Sequence, residues 1–299
     1  MKTTAIDSSM FESTGRRDSF LVHAGKVLTS RPSAMIGMVI CVLLVILAII
    51  GPLIAPYDPL SQTLADQLQA PSWHHLFGTD QFGRDILSRI LVGARLALLI
   101  GVVADVLALA FGTLFGLFAA FYGGFADTAI MRTMDVLLAF PYLLLAMLVI
   151  ALLGPGLYQA VAAIGVVYVP QFARIVRSAA LAVRQEPYID VARSIGASPS
   201  RIIFRHVLIN SAPPIIAQTT LMFGISILEV AGLGFLGLGA QPPQPEWGAM
   251  LAEGRSYILT SWWMATVPGL AIMFSVLGFN LLGDVVFDIL DPNRQQSVK

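Results

Sequence analysis

Long apolar runs separated by shorter polar stretches dominate the chain. The runs cover residues 34–55, 96–121, 136–153, 157–172, 215–238 and 264–287, each near the roughly 20 residues a helix needs to cross a bilayer core. Hydrocarbon offers no hydrogen bonds to a bare backbone, so such runs must satisfy themselves as helices. Six runs therefore predict an all-α polytopic membrane protein with six transmembrane helices. Only Gly154, Pro155 and Gly156 separate the third run from the fourth, enough for a tight turn. Pro141, Pro170 and Pro268 fall inside runs, and each removes a backbone donor, so bends are expected there. Gly112 and Gly116 form a small-xxx-small pair, and Gly232, Gly234, Gly237 and Gly239 crowd the end of the fifth run, predicting close helix approach at both places.

These runs divide the chain into a tail (1–33), a first span (34–55), a polar loop (56–94), a core of five spans (95–290) and a short C-terminal tail (291–299). The first 30 residues mix Ser, Thr, Gly and charges without period and read as weakly ordered. No small-residue cleavage pattern closes the first run, so it is expected to remain as an anchor. Composition agrees: 57% of residues are hydrophobic and 12% charged, with a mean hydropathy of +0.79, too apolar for an ordinary soluble domain. Net charge is zero, so nothing points to nucleic acid, and only the placement of charge carries information. Cys41 lies within an apolar run and reads as a buried small hydrophobe.

Lys2, Arg16, Arg17, Lys26 and Arg31 precede the first run, six arginines (174, 177, 184, 193, 201 and 205) fill the stretch between the fourth and fifth, and Arg132, Arg294 and Lys299 fall on the same side. Arg84, Arg89 and Arg255 lie opposite, with Arg95 at a boundary. The excess of basic residues marks the cytoplasmic side, giving both termini inside and the 56–94 loop outside. Trp73, Trp247, Trp262 and Trp263 then fall near external span ends, where an interfacial aromatic belt is expected.

Chemistry-bearing motifs are mostly absent. There is no phosphate-binding Gly-rich loop with its lysine, no metal-ligand spacing among the four histidines, and no readable nucleophile and base, so no catalytic, cofactor-binding or metal residue is assigned. The 184–210 stretch is different, because a long polar loop between spans needs a reason to be structured. Pro187 suits a first helical turn, Tyr188 to Ile195 can propagate it, and Gly196 is placed to end it in the left-handed conformation. Ser198 is a good N-cap and Pro199 a good first residue for a second helix carrying Ile202, Ile203, Val207 and Leu208 at helical spacing. In the 56–94 loop, Asp80 with Arg84 and Asp85 with Arg89 are spaced i,i+4, with Ile86, Leu87, Ile90 and Leu91 on the other side, predicting an interfacial amphipathic helix. Within the runs, Asp105 and Glu229 are the costly ionisable residues, at roughly 2.5–3.5 kcal/mol for a central aspartate, so each is expected to face protein or water. Glu229 is the candidate for a translocation path.

The stretch Asp190, Val191, Ala192, Arg193, Ser194, Ile195, Gly196, Ala197 resembles the Glu-Ala-Ala-x-x-x-Gly loop of binding-protein-dependent ABC importer permeases. Aspartate stands where that motif prefers glutamate, and Ile209 where a proline usually follows. Residues 77–89 (from Phe77-Gly78-Thr79-Asp80), 233–248 (from Leu233-Gly234-Phe235-Leu236-Gly237) and 278–284, with Asp291-Pro292, are similar to the C-type permease subunit of the peptide and nickel importer group. The similarity covers about residues 34–292. It implies that Tyr188, Asp190, Val191, Ala192, Arg193, Ser194, Gly196 and Ala197 form a coupling loop that docks in a cytoplasmic ATPase, with Ala192 packing against that partner. It also implies a second, homologous B-type permease chain, two ABC ATPase subunits, an external solute-binding protein and a bacterial inner membrane.

The reading is a transport subunit rather than an enzyme, forming half of a pathway for peptides, with nickel, glutathione and opines as alternatives within the same group. An ion-coupled secondary transporter is the rival class, disfavoured by the scarcity of paired intramembrane charges. An intramembrane enzyme would need a nucleophile and base, or a metal set, within the spans.

Overall fold

Helix α1 (Pro32–Ile54) shows how the bundle is built. Its buried residues, Ala34, Gly37, Cys41, Leu44, Ala48 and Gly51, recur at three- and four-residue steps, while Met35, Val39, Val42, Ile46, Ile49 and Leu53 face outward. Small residues line the inner stripe because neighbouring backbones come close: a Cβ on Gly37 would lie 2.6 Å from the Leu281 Cβ, and one on Gly51 2.5 Å from the Leu91 carbonyl oxygen. Lipid tails are as apolar as leucine, so close van der Waals packing rather than hydrophobicity joins the helices. The computed structural model describes residues 31–290; the expected tails, with Lys2, Arg16, Arg17, Lys26, Arg294 and Lys299, lie outside the described residues.

After α1 come α2 (Ile86–Tyr122), α3 (Gly124–Leu138), α4 (Tyr142–Leu153), α5 (Leu157–Arg184), α6 (Pro187–Ser194), α7 (Pro199–Phe235), α8 (Trp247–Arg255) and α9 (Trp263–Leu290). No strand occurs among the described residues, only an isolated bridge between Thr79 and Asp85. Five helices are long and apolar enough to cross a membrane, and the pair α3 and α4 makes a sixth crossing if its two arms, bent by 96°, count as one. The all-α polytopic architecture is thus as expected, with the third span broken rather than continuous. Pro141 stands at the start of the second arm, where its missing N–H is tolerated.

Two boundaries differ from the sequence expectation. Helix α2 begins at Ile86, ten residues before the apolar run, so there is no separate interfacial helix in the 56–94 loop. Helix α5 continues to Arg184, well past residue 172, because its last turns bury Ala173, Val176 and Ala180 within the protein. Nor do all four tryptophans form a belt. Trp73 and Trp262 are exposed, but Trp247 and Trp263 are buried and donate their indole N–H to the carbonyls of Ile90 and Thr79.

The tightest seam joins α2 to α5. A Cβ on Gly112 would collide with the Cβ of Phe172, and one on Gly116 would lie 2.6 Å from the Ala173 carbonyl oxygen. Gly232, by contrast, has open space around its Cβ position. Gly112→Val should therefore destabilise the protein by about 1–3 kcal/mol through overpacking, read as a lowered melting temperature in detergent, whereas Gly232→Ala should leave it nearly unchanged. Equal melting temperatures for the two variants would mean that the seam is not close-packed.

Candidate functional site

Three groups of the predicted residues occupy three separate levels of the bundle. The first surrounds α6. Pro187 is its first residue, and its end is closed by a pair of backbone bonds, Ala197 N–H to the Ala192 carbonyl (3.0 Å) and Gly196 N–H to the Arg193 carbonyl (3.1 Å), with Gly196 at φ +83°. This is the Schellman closure, which needs a residue at positive φ. Ser198 then caps the next turn through Arg201 N–H, and Pro199 opens α7. Residues Ile202–Val207 inside α7 form a π-helix, with Leu208 N–H bonded to the Ile203 carbonyl, a wider winding that nothing in the spacing of apolar residues announced.

Two faces of α6 have different surroundings. Ile189 is buried in one core with Leu117, Ala120, Val176 and Ala180, and Ala192 on the same side of the helix is buried as well. Ala192, expected to pack against a partner, therefore packs against its own chain, because it shares the inner stripe with Ile189 three residues earlier. Tyr188, Asp190, Val191, Arg193, Ser194 and Ile195 are exposed, with Val191 at 60% and Ile195 at 79%. Asp190 and Arg193 pair at 3.1 Å, and the Ser194 hydroxyl donates to the Asp190 carbonyl. Arg184 ties this region to α2 by donating to the carbonyls of Ala120 (2.7 Å) and Phe121 (3.0 Å), which satisfies acceptors that the end of α2 leaves open.

At the opposite end of α2, Asp80, Arg84, Asp85 and Arg89 do not make an amphipathic surface helix. Residues 79–85 form a tight turn, with Gly78 at φ +74° and Gly83 at φ +73°. Arg84 and Arg89 are each 1% exposed. Arg84 reaches Asp80 at 2.5 Å and Glu253 of α8 at 2.8 Å, and Arg89 lies 3.8 and 3.7 Å from the same two carboxylates. The four charges sum to zero, which is what makes their burial tolerable. Asp85 does not pair with Arg89; it caps α2 by accepting from Ser88 N–H and its hydroxyl and from His75 Nδ1. Glu253 was missed from sequence because its partners lie far away along the chain. Glu246 was quoted only as part of a motif; it caps α8 through Gly248 and Ala249 N–H, and burial pushes its carboxyl up to about 7 against those two donors.

Between these ends lie the two intramembrane acids. Glu229 on α7 is buried and lies beside Tyr142, the first residue after the bend between α3 and α4. Asp105 on α2 accepts a bond of 2.7 Å from the Ser226 hydroxyl of α7. Both face protein rather than lipid, as their insertion cost requires. Tyr142 and Ser226 carry no sequence signal of this role. Among the described residues there is no group of three or more potential metal ligands.

Removing one member of the quartet leaves buried charge uncompensated. Arg84→Met should destabilise the protein by about 3–5 kcal/mol and loosen the 77–85 turn, read as faster proteolysis within that turn. An unchanged melting temperature would show that the quartet contributes nothing.

The sequence model described as "Binding-protein-dependent transport system inner membrane component" matches residues 112–296, and that described as "N-terminal TM domain of oligopeptide transport permease C" matches 19–71. A dipeptide transport system permease protein of Alkalihalophilus pseudofirmus is 48% identical, over 91% of this chain and 90% of that one. A probable D,D-dipeptide transport system permease protein of Escherichia coli K12 is 45% identical, over 89% of each. A glutathione transport system permease protein of Escherichia coli O6:K15:H31 is 47% identical, over 87% of this chain and 86% of that one. Among solved structures, the inward-facing MetNI methionine ABC transporter matches with a TM-score of 0.54 and 18% identity, over 68% of this chain and 96% of that one, a likeness of fold.

Proposed function

The chain belongs to the family of binding-protein-dependent transport system inner membrane components, and from that premise we propose how it works. It is the membrane-spanning permease subunit of an ATP-driven peptide importer, a transport subunit in a multi-pass membrane assembly. A second, homologous B-type permease completes the pathway, two cytoplasmic ATPases power it, and an external binding protein delivers the solute. The glutathione relative marks a small peptide-like solute as compatible with this scaffold.

The observation that carries the coupling role is the two-sided α6. Its inner face is built into the ends of α2 and α5, while Val191 and Ile195 stand out from the protein with Asp190, Arg193, Ser194 and Tyr188 around them. Exposed apolar side chains on a rigidly mounted short helix suit a cleft on a partner. Gly196 and Ala197 close the helix and set its angle to α7. Glu229, beside the bend at Tyr142, is our candidate for the solute path, because it is a buried acid on α7 next to the broken span.

Replacing Val191 and Ile195 together by Asp should weaken ATPase association by at least about tenfold, given that interface anchors contribute 2 kcal/mol or more, and leave the melting temperature of the permease unchanged. Gly196→Val should lower both, since a left-handed position costs a non-glycine residue about 1–2 kcal/mol. Wild-type uptake and co-purification of the ATPase with the Val191/Ile195 variant would refute the docking role.

Orientation follows from charge. Six arginines between residues 174 and 205 stand against Arg84, Arg89, Arg255 and the boundary Arg95 on the other side, the excess that marks a cytoplasmic face. With the α6 side cytoplasmic, a cysteine at Ser198 should be shielded from an impermeant thiol reagent in intact cells and one at Ser61 modified. The opposite pattern would invert the topology.

A further inference from the structure

Among the described residues, the buried polar groups between α2, α5 and α7 include two acids, Asp105 and Glu229, and no base. Asp105 is 3% exposed, and its surroundings are set by this chain alone. Its Oδ1 accepts from Ser226, and its Oδ2 has no hydrogen-bond partner among the described residues. Tyr168 on α5 lies within electrostatic reach of Asp105, of Glu229, three residues after Ser226 on α7, and of the exposed Tyr142 on α4. None can supply positive charge. The quartet at Arg84 shows what this fold does when it buries ionised carboxylates: it brings two guanidiniums to them. At Asp105 it brings one hydroxyl.

An ionised carboxylate with a single neutral donor, deep in protein within a membrane, lacks the compensation that buried charge demands. A metal cation would need several oxygen ligands around a space of its own size; the described residues at Asp105 offer one hydroxyl and no group of potential metal ligands. A proton needs only an oxygen. We infer that Asp105 is a proton-binding site inside the bundle: Oδ2 carries the proton while α2 and α7 are packed together, and Ser226 donates to Oδ1. When α2 and α7 part and water reaches the acid, hydration stabilises the carboxylate and the proton leaves. Separation of the two helices is thereby linked to proton release, and a return to the packed arrangement takes a proton up. This reading does not depend on α6 docking.

The test uses the complete importer, with partner permease, ATPases and binding protein. At neutral pH, infrared difference spectra between wild type and Asp105→Asn should contain the C=O stretch of a protonated carboxylic acid, lost in the variant and kept in Glu229→Gln. Ser226→Ala, which leaves the acid in place, should shift that band, because Oδ1 loses its donor. In proteoliposomes Asp105→Asn, which has no proton to release, should show a flatter dependence of dipeptide uptake on alkaline pH than wild type. Absence of the band in wild type would overturn the assignment. So would a pH dependence of uptake in Asp105→Asn identical to that of wild type. Should Asp105→Asn fail to assemble, the Ser226→Ala spectrum decides alone, and an unshifted band refutes the site.

Discussion

The close approach of α2 and α5 is the contact on which the other features hang. Gly112 and Gly116 let the backbone of α5 come against α2 at Phe172 and Ala173, and no other residue type would permit that spacing. Helix α2 has 37 residues, about 55 Å at 1.5 Å per residue, well beyond the roughly 30 Å of bilayer hydrocarbon. It therefore connects the two aqueous sides through one rigid element. The charge quartet sits at its first turn, Asp105 in its middle, and the carbonyls that Arg184 caps at its end. A change in its tilt reaches all three levels together.

The chain solves the problem of buried charge in two ways, and the contrast is informative. At the start of α2, full charges are kept and balanced, two arginines against Asp80 and Glu253, in a turn whose glycines allow the backbone to fold tightly around them. Such a network favours one arrangement of loop and α8 over alternatives, since any slip exposes an unpaired ion to low dielectric. At the two intramembrane acids the neighbours are hydroxyls: Asp105 accepts from Ser226, and Glu229 lies beside Tyr142. Those contacts are weaker and can be exchanged for water. The rigid solution belongs to the end where the loop folds against α8, the weaker one to the interior seam between α2 and α7.

Much of this was legible in the sequence where the cause was local. The cap at Ser198, the closure at Gly196 and the start at Pro187 are decided by backbone geometry within a few residues, and they stand where the residue types required. The spans followed from length and hydropathy. What escaped the sequence has causes spread along the chain. Glu253 is 169 residues from its Arg84 partner, so an i,i+4 reading of Asp80 and Arg84 saw a helix where a turn exists. Ala192 looked like a partner contact because nothing local reveals that Ile189 and Ala192 share the inner stripe. Trp247 and Trp263 looked like belt residues until their indole donors found the carbonyls of Ile90 and Thr79. The π-winding of Ile202–Val207 had no local mark.

That winding bears on how a push at α6 would spread. Ile189 shares a core with Leu117 and Ala120 of α2 and Val176 and Ala180 of α5, and close-packed cores transmit displacement rather than absorb it. On that side α6 is joined stiffly to the long seam. Toward α7 the connection is different: a short capped turn and then six residues in a π-helix, whose i,i+5 bonding places one extra residue per turn and which is found at sites of local adjustment. Ile202 and Val207 from this segment insert into the same core, so it is anchored at its flanks while its winding departs from the α-helix between them. Displacement of α6 would thus carry α2 and α5 with it as one body, and the change in relative position would have to be taken up where α7 begins. The helix pair that must then slide is α2 against α7, the pair that Asp105 and Ser226 bridge.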